Sequence, residues 1–190
     1  PHKSDRKTDT LTIIATELHS GGKLKDTEKN YSAGATIGTH GVGLAVVNAL
    51  STEMIIYTKF SGKWQQQSFS KGVPTTKVLP ANKVPRFNGQ KWPTGTIVQF
   101  KPDMSIFAKG SKLTAQMVST WLEQLSWFVY GPKRSKKDEV GTPITYQLNL
   151  AGKVSTIRRT SLAEYALTTT KKIKAEPILN KLKPFVYSSR

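Results

Sequence analysis

No cysteine occurs among the 190 residues, which excludes disulfides and every metal site built on thiolates. The three histidines, His2, His19 and His40, are scattered and show no HExxH or comparable ligand spacing, so no metal site of the chain's own is expected. No apolar run approaches the roughly 20 residues that a membrane span requires. No signal peptide is recognisable either, and no membrane partner is expected. Acidic residues are scarce: 12 Asp+Glu stand against 29 Lys+Arg, a formal net charge of +17. The excess is spread along the chain, with 13 basic and 6 acidic residues in 1–100 and 16 and 6 in 101–190. Such a distribution suits a protein that works beside nucleic acid or another polyanion; a lysine-rich solvated surface accounts for it equally well. Apolar residues make up 37%, but they fall in periodic segments, and the length suffices for one domain with a core.

What the chain does have is a concentration of glycine and small residues at 32–51, SAGATIGTHGVGLAVVNALS. Gly34, Gly38, Gly41 and Gly43, with hydroxyls at Thr36 and Thr39, run directly into LAVVNAL, an apolar segment of helical length. A flexible loop feeding a helix start suits an anion. Glycines let the backbone approach a phosphate closely, and the first N–H groups of the helix are left without intrahelical acceptors. A glycine-rich surface loop before an amphipathic helix accounts for the same residues. No Lys-Ser or Lys-Thr follows the last glycine, so this is not a P-loop, and no clear strand leads into it as a Rossmann fingerprint needs.

The run THGVGLAVVNALS resembles the second glycine box of the gyrase B family, the ATPase component of type II DNA topoisomerases. The match extends through Gly38-Thr39-His40-Gly41-Val42-Gly43 and Val46-Val47-Asn48-Ala49-Leu50-Ser51, whose asparagine-alanine-leucine-serine ending marks the gyrase branch of the wider GHKL superfamily. Upstream, His19-Ser20-Gly21-Gly22-Lys23-Leu24 is similar to the HAGGKF-type element that opens the family's ATP lid. That resemblance implies that Gly22 lies at the nucleotide and that Lys23 reaches its terminal phosphates as a point charge on a flexible stem. Here the lid is a few residues longer than the family's, through ATIGT. Downstream, Thr94-Gly95-Thr96-Ile97-Val98-Gln99-Phe100-Lys101-Pro102-Asp103 resembles the family's TGT-x-V-x-F-x-P-D strand, which implies a place for Thr96 in the adenine pocket. The nucleotide-binding set implied is thus Gly22, Lys23, Gly38, Thr39, His40, Gly41, Val42, Gly43 and Thr96.

Local patterning places these motifs. Residues 10–18 read as a short helix with Leu11, Ile14, Ala15 and Leu18 on one side, capped by Asp9 or Thr10. Residues 19–34 look like a loop hinged at Gly21-Gly22, and a helix follows from Gly43 to Leu50. EMIIYTKF at 53–60 and the segment 64–69 read as a hairpin about a Ser61-Gly62-Lys63 turn, and the prolines of 75–93 mark an extended surface loop. The longest helix spans 112–130; Leu113, Met117, Trp121, Leu125 and Phe128 fall at helical spacing and are expected to pack on the sheet. Lys133, Arg134, Lys136 and Lys137 form the densest basic cluster, in a charged turn. Alternating residues from Ile144 to Leu150 turn at Ala151-Gly152-Lys153 into a short partner strand, and 161–169 reads as a last helix.

The resemblance covers about residues 10–188 and implies an α+β fold, part of a GHKL (Bergerat) ATPase sandwich: a mixed, mostly antiparallel sheet with helices on one face. Residues 1–183 are expected to form the second half of that domain, and 184–190 to begin a transducer-like segment. No counterpart is found before His19 for the family's glutamate general base, its Mg²⁺-holding asparagine helix or its D-x-G-x-G turn. The acids there are Asp5, Asp9 and Glu17, and no glycine precedes Gly21. No catalytic residue is therefore expected in this chain, and the Mg²⁺ ligand is expected on the other half. The function implied is the ATP-binding part of a topoisomerase ATPase subunit, inactive in isolation and completed by another chain carrying the first half. DNA and a multi-subunit assembly are the implied partners, in a bacterial or phage-like cytoplasm or an organelle. The alternative is a non-catalytic basic module, derived from that fold, that binds nucleic acid or serves assembly.

Overall fold

The computed structural model describes residues 8–20, 40–128 and 144–157. The chain divides into two compact units, one of residues 1–27 and 38–112, the other of 28–37 and 113–190.

The first unit begins with α1 (Thr10–Thr16) and α2 (Gly43–Ala49), followed by β1 (Ser51–Phe60), β2 (Lys63–Ser70), β3 (Val73–Pro74), β4 (Leu79–Pro80) and β5 (Thr96–Pro102). Every strand pairing is antiparallel, in the order β3-β2-β1-β5, with β4 also on β2. The β1–β2 hairpin closes through Ser61 and Gly62, whose φ of 47° and 77° meet the demand of a type I′ turn for two left-handed residues. Lys71 and Gly72, at 50° and 85°, repeat the device between β2 and β3.

Register decides which side chains share a face. Met54 stands opposite Phe69 on β2 and Phe100 on β5, while Ile56 stands opposite Gln67 and Val98. The helices cover that face: Ala15, Met54, Ile56 and Phe69 form the buried cluster, with Leu11, Leu44 and Val47 packed against it. The expected α+β arrangement, antiparallel with helices on one face, is what the chain adopts. The cover is uneven, for Val98 and Phe100 on β5 remain 40% and 47% exposed. Among the described residues no strand pairs with the outer edge of β5.

Two details of α1 differ from the sequence-based expectation. Asp9 occupies the N-cap position without a side-chain hydrogen bond, and the first turn closes instead by Ile13 N–H donating to the Asp9 carbonyl at 3.2 Å. The helix also stops at Thr16, so Leu18 lies beyond it and is exposed, while Ile13 joins Ala15 in the interior. A buried polar contact supplements the apolar seat. Gln67, on the same face, donates to Thr12 Oγ1 at 2.8 Å and to the Thr76 carbonyl at 3.0 Å, which satisfies its buried amide N–H groups.

The second unit contains α3 (Ala115–Phe128) and the hairpin of β6 (Tyr146–Leu150) and β7 (Lys153–Ile157), which turns through Ala151 and Gly152. The first part of the stripe expected to be core is not: Leu113, Met117 and Trp121 are 71%, 51% and 69% exposed, while Leu125 is half-buried and burial falls on Ser126 and Trp127 near the helix's end. Among the described residues of its unit, α3 meets the two-stranded sheet of β6 and β7. The basic cluster at 133–137, the helix expected at 161–169 and the segment 184–190 lie outside the described residues.

Candidate functional site

The glycine box can be followed from His40. His40 is exposed at a bend and Gly41 takes φ 63°, a left-handed conformation that glycine adopts without the strain a Cβ would bring. Val42 is the N-cap of α2 and supplies no side-chain cap, while its carbonyl accepts the Val46 N–H at 3.0 Å. Gly43 opens the helix. Among the described residues, a Cβ built on it would meet no atom within 4 Å, so none of them requires glycine there. The site thus presents an uncapped first turn behind a glycine whose missing side chain leaves open space. Seven residues are too few for a large summed dipole, so any attraction for phosphate comes from local N–H groups. Gly22, Lys23, Gly38 and Thr39, and with them the lid, lie outside the described residues.

The other end of α2 is tied down firmly. Asn48, wholly buried, donates from Nδ2 to the Ala15 carbonyl at 2.9 Å and so fixes α2 to α1. Its backbone carbonyl accepts the Gly72 N–H at 3.1 Å, and a Cβ on Gly72 would come within 3.4 Å of Ala49 Cα. Asp103 N–H donates to the Leu50 carbonyl at 2.8 Å, and Lys71 N–H to that of Ser51 at 2.8 Å. Above these two backbone bonds the Lys71 ammonium lies 3.2 Å from Asp103 Oδ2. Asp103 Oδ1 accepts from Ser105 Oγ at 2.6 Å and from Ser105 N–H at 3.1 Å. The end of β2, the end of β5 and the helix exit therefore meet in one polar clamp. Neither Asn48 nor the Lys71–Asp103 pair was assigned a role by sequence reasoning. The one available signal was an asparagine inside the apolar run VVNAL, a position where amide side chains are costly unless bonded.

The two Ser105 hydrogen bonds, then the Lys71 ammonium, hold the Asp103 carboxyl below the usual carboxylate range against the opposing effect of burial. A folded-state pKa below the unfolded one stabilises fully above the unfolded value, about 3.9, and the contribution is lost as pH falls through the folded value. Asp103→Asn is thus expected to melt lower than the parent near pH 7, with the gap closing as pH falls below about 4; paired thermal melts across that range test it.

Thr96 begins β5. It is exposed and its hydroxyl lies 3.4 Å from that of Thr58, on the same sheet face as Ile56 and Val98. Asp103, beyond the strand's other end, touches the exit of α2, which puts Thr96 about 20 Å from the clamp at some 3.3 Å per residue. Among the described residues no hydrogen bond joins Thr96 to the glycine box. Of the same residues, His40, Gly41, Val42 and Gly43 form the continuous entry to α2, and Thr96 stands on β5 opposite Thr58.

The first unit is thus an antiparallel sheet with two helices on one face, one of them entered through a glycine box. No family model matches the chain. It is 42% identical over 97 residues to the DNA gyrase B protein of Borreliella burgdorferi, covering 51% of this chain and 14% of that protein. To the DNA gyrase B protein of Halalkalibacterium halodurans it is 30% identical over 154 residues, 79% of this chain and 22% of that one. The crystal structure of the 43K ATPase domain of Thermus thermophilus gyrase B, in complex with an aminocoumarin, superposes with a TM-score of 0.58 at 22% identity. The match takes in 90% of this chain and 38% of that one, and shows the likeness of fold. The chain is a homologue of DNA gyrase B and spans less than a quarter of either full-length gyrase B protein just described.

Proposed function

We propose that these residues form the phosphate-binding and lid portion of the ATP site of a type II DNA topoisomerase ATPase. Homology to gyrase B carries this reading. It is supported by the left-handed Gly41, the uncapped start of α2 and the open space at Gly43. In the proposed site Gly38 to Gly43 let backbone N–H groups close on the phosphates, Lys23 and Gly22 approach from the lid, and Thr96 serves the adenine. The described residues do not fit Mg²⁺: no three His, Asp or Glu side chains cluster as a metal site needs. The metal and the general base belong to the complementary half. The proposed assembly with DNA-handling subunits takes place in a bacterial, phage-like or organellar interior.

The division predicts no appreciable ATP turnover by the isolated 190 residues, and turnover once a polypeptide with the E-x-x-x-N helix and D-x-G-x-G turn is added. Phosphate release with each part alone and together measures it. Turnover by the isolated chain sinks the division of labour, and failure of the complemented assembly to bind labelled ATP sinks the nucleotide site. The second reading, a non-catalytic basic nucleic-acid module, is favoured by the net charge of +17. It would show as salt-dependent DNA binding without nucleotide binding in the complemented assembly.

A further inference from the structure

Between Glu53 and Asp103 the sequence holds no acidic residue, while Lys59, Lys63, Lys71, Lys77, Lys83, Arg86, Lys91 and Lys101 all fall within it. Three of these cations line one cleft. The loop after β4 folds back against the start of β2 and leaves a hollow of about 430 Å³ bordered by Trp64, Lys83, Pro85, Arg86, Lys91 and Trp92. The volume is that of a small-ligand pocket.

The cleft's walls are built rather than incidental. Ala81 N–H donates to the Trp64 carbonyl at 2.9 Å, which pins the loop's beginning, and Lys59 Nζ donates to the Pro93 carbonyl at 2.7 Å, which pins its end. Between them Phe87 and Gln90 exchange both backbone hydrogen bonds, at 3.0 and 3.2 Å. Phe87 also packs at a tilt against Trp92, with centroids 5.8 Å apart and planes at 53°. Trp64 is half-buried, and Trp92 is 41% exposed with Phe87 as its support. Lys83, Arg86 and Lys91 are exposed, and no carboxylate of the intervening sequence lies within the segment to neutralise them.

Two indole rings flanked by three uncompensated cations match one ligand chemistry closely: a base with a π-face and phosphodiesters on either side. An amine or metal ligand would need carboxylates, which the cleft lacks. We propose that this cleft binds single-stranded nucleic acid, one base against Trp92 or Trp64 and the adjoining phosphates on Lys83, Arg86 and Lys91. It shares no lining residue with the proposed ATP site, of which only Thr96 stands at this end of β1. The proposal therefore stands or falls separately from that reading.

Fluorescence anisotropy of a labelled thymidine 20-mer with the full chain, across a salt series, tests it. The expected result is binding that quenches tryptophan emission. Trp92→Ala should weaken it about tenfold, and K83A/R86A/K91A should reduce the steepness of the log–log salt dependence by about 2, at about 0.7 per phosphate contact. A control triple, K101A/K109A/K112A, removes the same charge from exposed positions outside the cleft, and Trp121→Ala removes an exposed indole elsewhere. Equal losses in the controls, or displacement of the oligonucleotide by polyglutamate of equal charge, overturn the proposal. Circular dichroism of each variant confirms that the fold is retained.

Discussion

Phe69→Ala is expected to cost about 3–5 kcal/mol, since Phe69 is the largest fully buried side chain among the described residues. Phe69 is 1% exposed and faces Met54 across the β1–β2 ladder, inside the cluster that seats both helices. Removing the ring forfeits its transfer free energy and leaves a cavity under α1 and α2 that backbone hydrogen bonds prevent from collapsing. Against a total stability of about 5–15 kcal/mol, this is a large fraction. Phe100→Ala is the contrast, since Phe100 faces Met54 from the other side on the same sheet face but is 47% exposed. Its loss should stay near 1 kcal/mol, because water already reaches much of the ring. Urea unfolding followed by tryptophan fluorescence and circular dichroism reads both. Comparable losses for the two variants would mean that the helices do not rest on Phe69.

Much of this architecture is legible in the residues because it is local. β-rich composition and turn chemistry mark β1 and β2, the family resemblance marks β5, and the two-residue turns at Ser61-Gly62 and Ala151-Gly152 stand where glycine punctuation puts them. The glycine box is legible for the same reason, being contiguous. What escapes is decided at a distance. Asn48 finds the Ala15 carbonyl 33 residues away and Gln67 finds Thr12 55 residues away, and neither pairing leaves a local trace. Periodicity shows that α3 has an apolar side, not whether anything covers Met117 and Trp121. The loop after β4 has no period at all, only prolines, so the convergence of Trp64 and Trp92 emerges from folding.

Gly43→Ala separates the fold from the proposed site at the glycine box. The position is the first residue of α2, its φ is not left-handed, and an added methyl meets none of the described residues within 4 Å. Alanine is the better helix former by up to about 1 kcal/mol, so thermal stability should be unchanged or slightly raised. A phosphate drawn close to the first turn would, however, collide with the new methyl and retreat from the N–H groups behind it. Loss of hydrogen bonds to a charged group is worth about 1.5–3 kcal/mol, so labelled ATP should bind the complemented assembly roughly tenfold to a hundredfold more weakly. Gly41→Ala cannot make this distinction, because φ 63° imposes backbone strain of about 1 kcal/mol or more on any side chain whether or not a nucleotide is present. Gly43→Ala with parental stability and parental affinity would show that no phosphate approaches α2, and the glycine would then have no role that either the fold or the nucleotide explains.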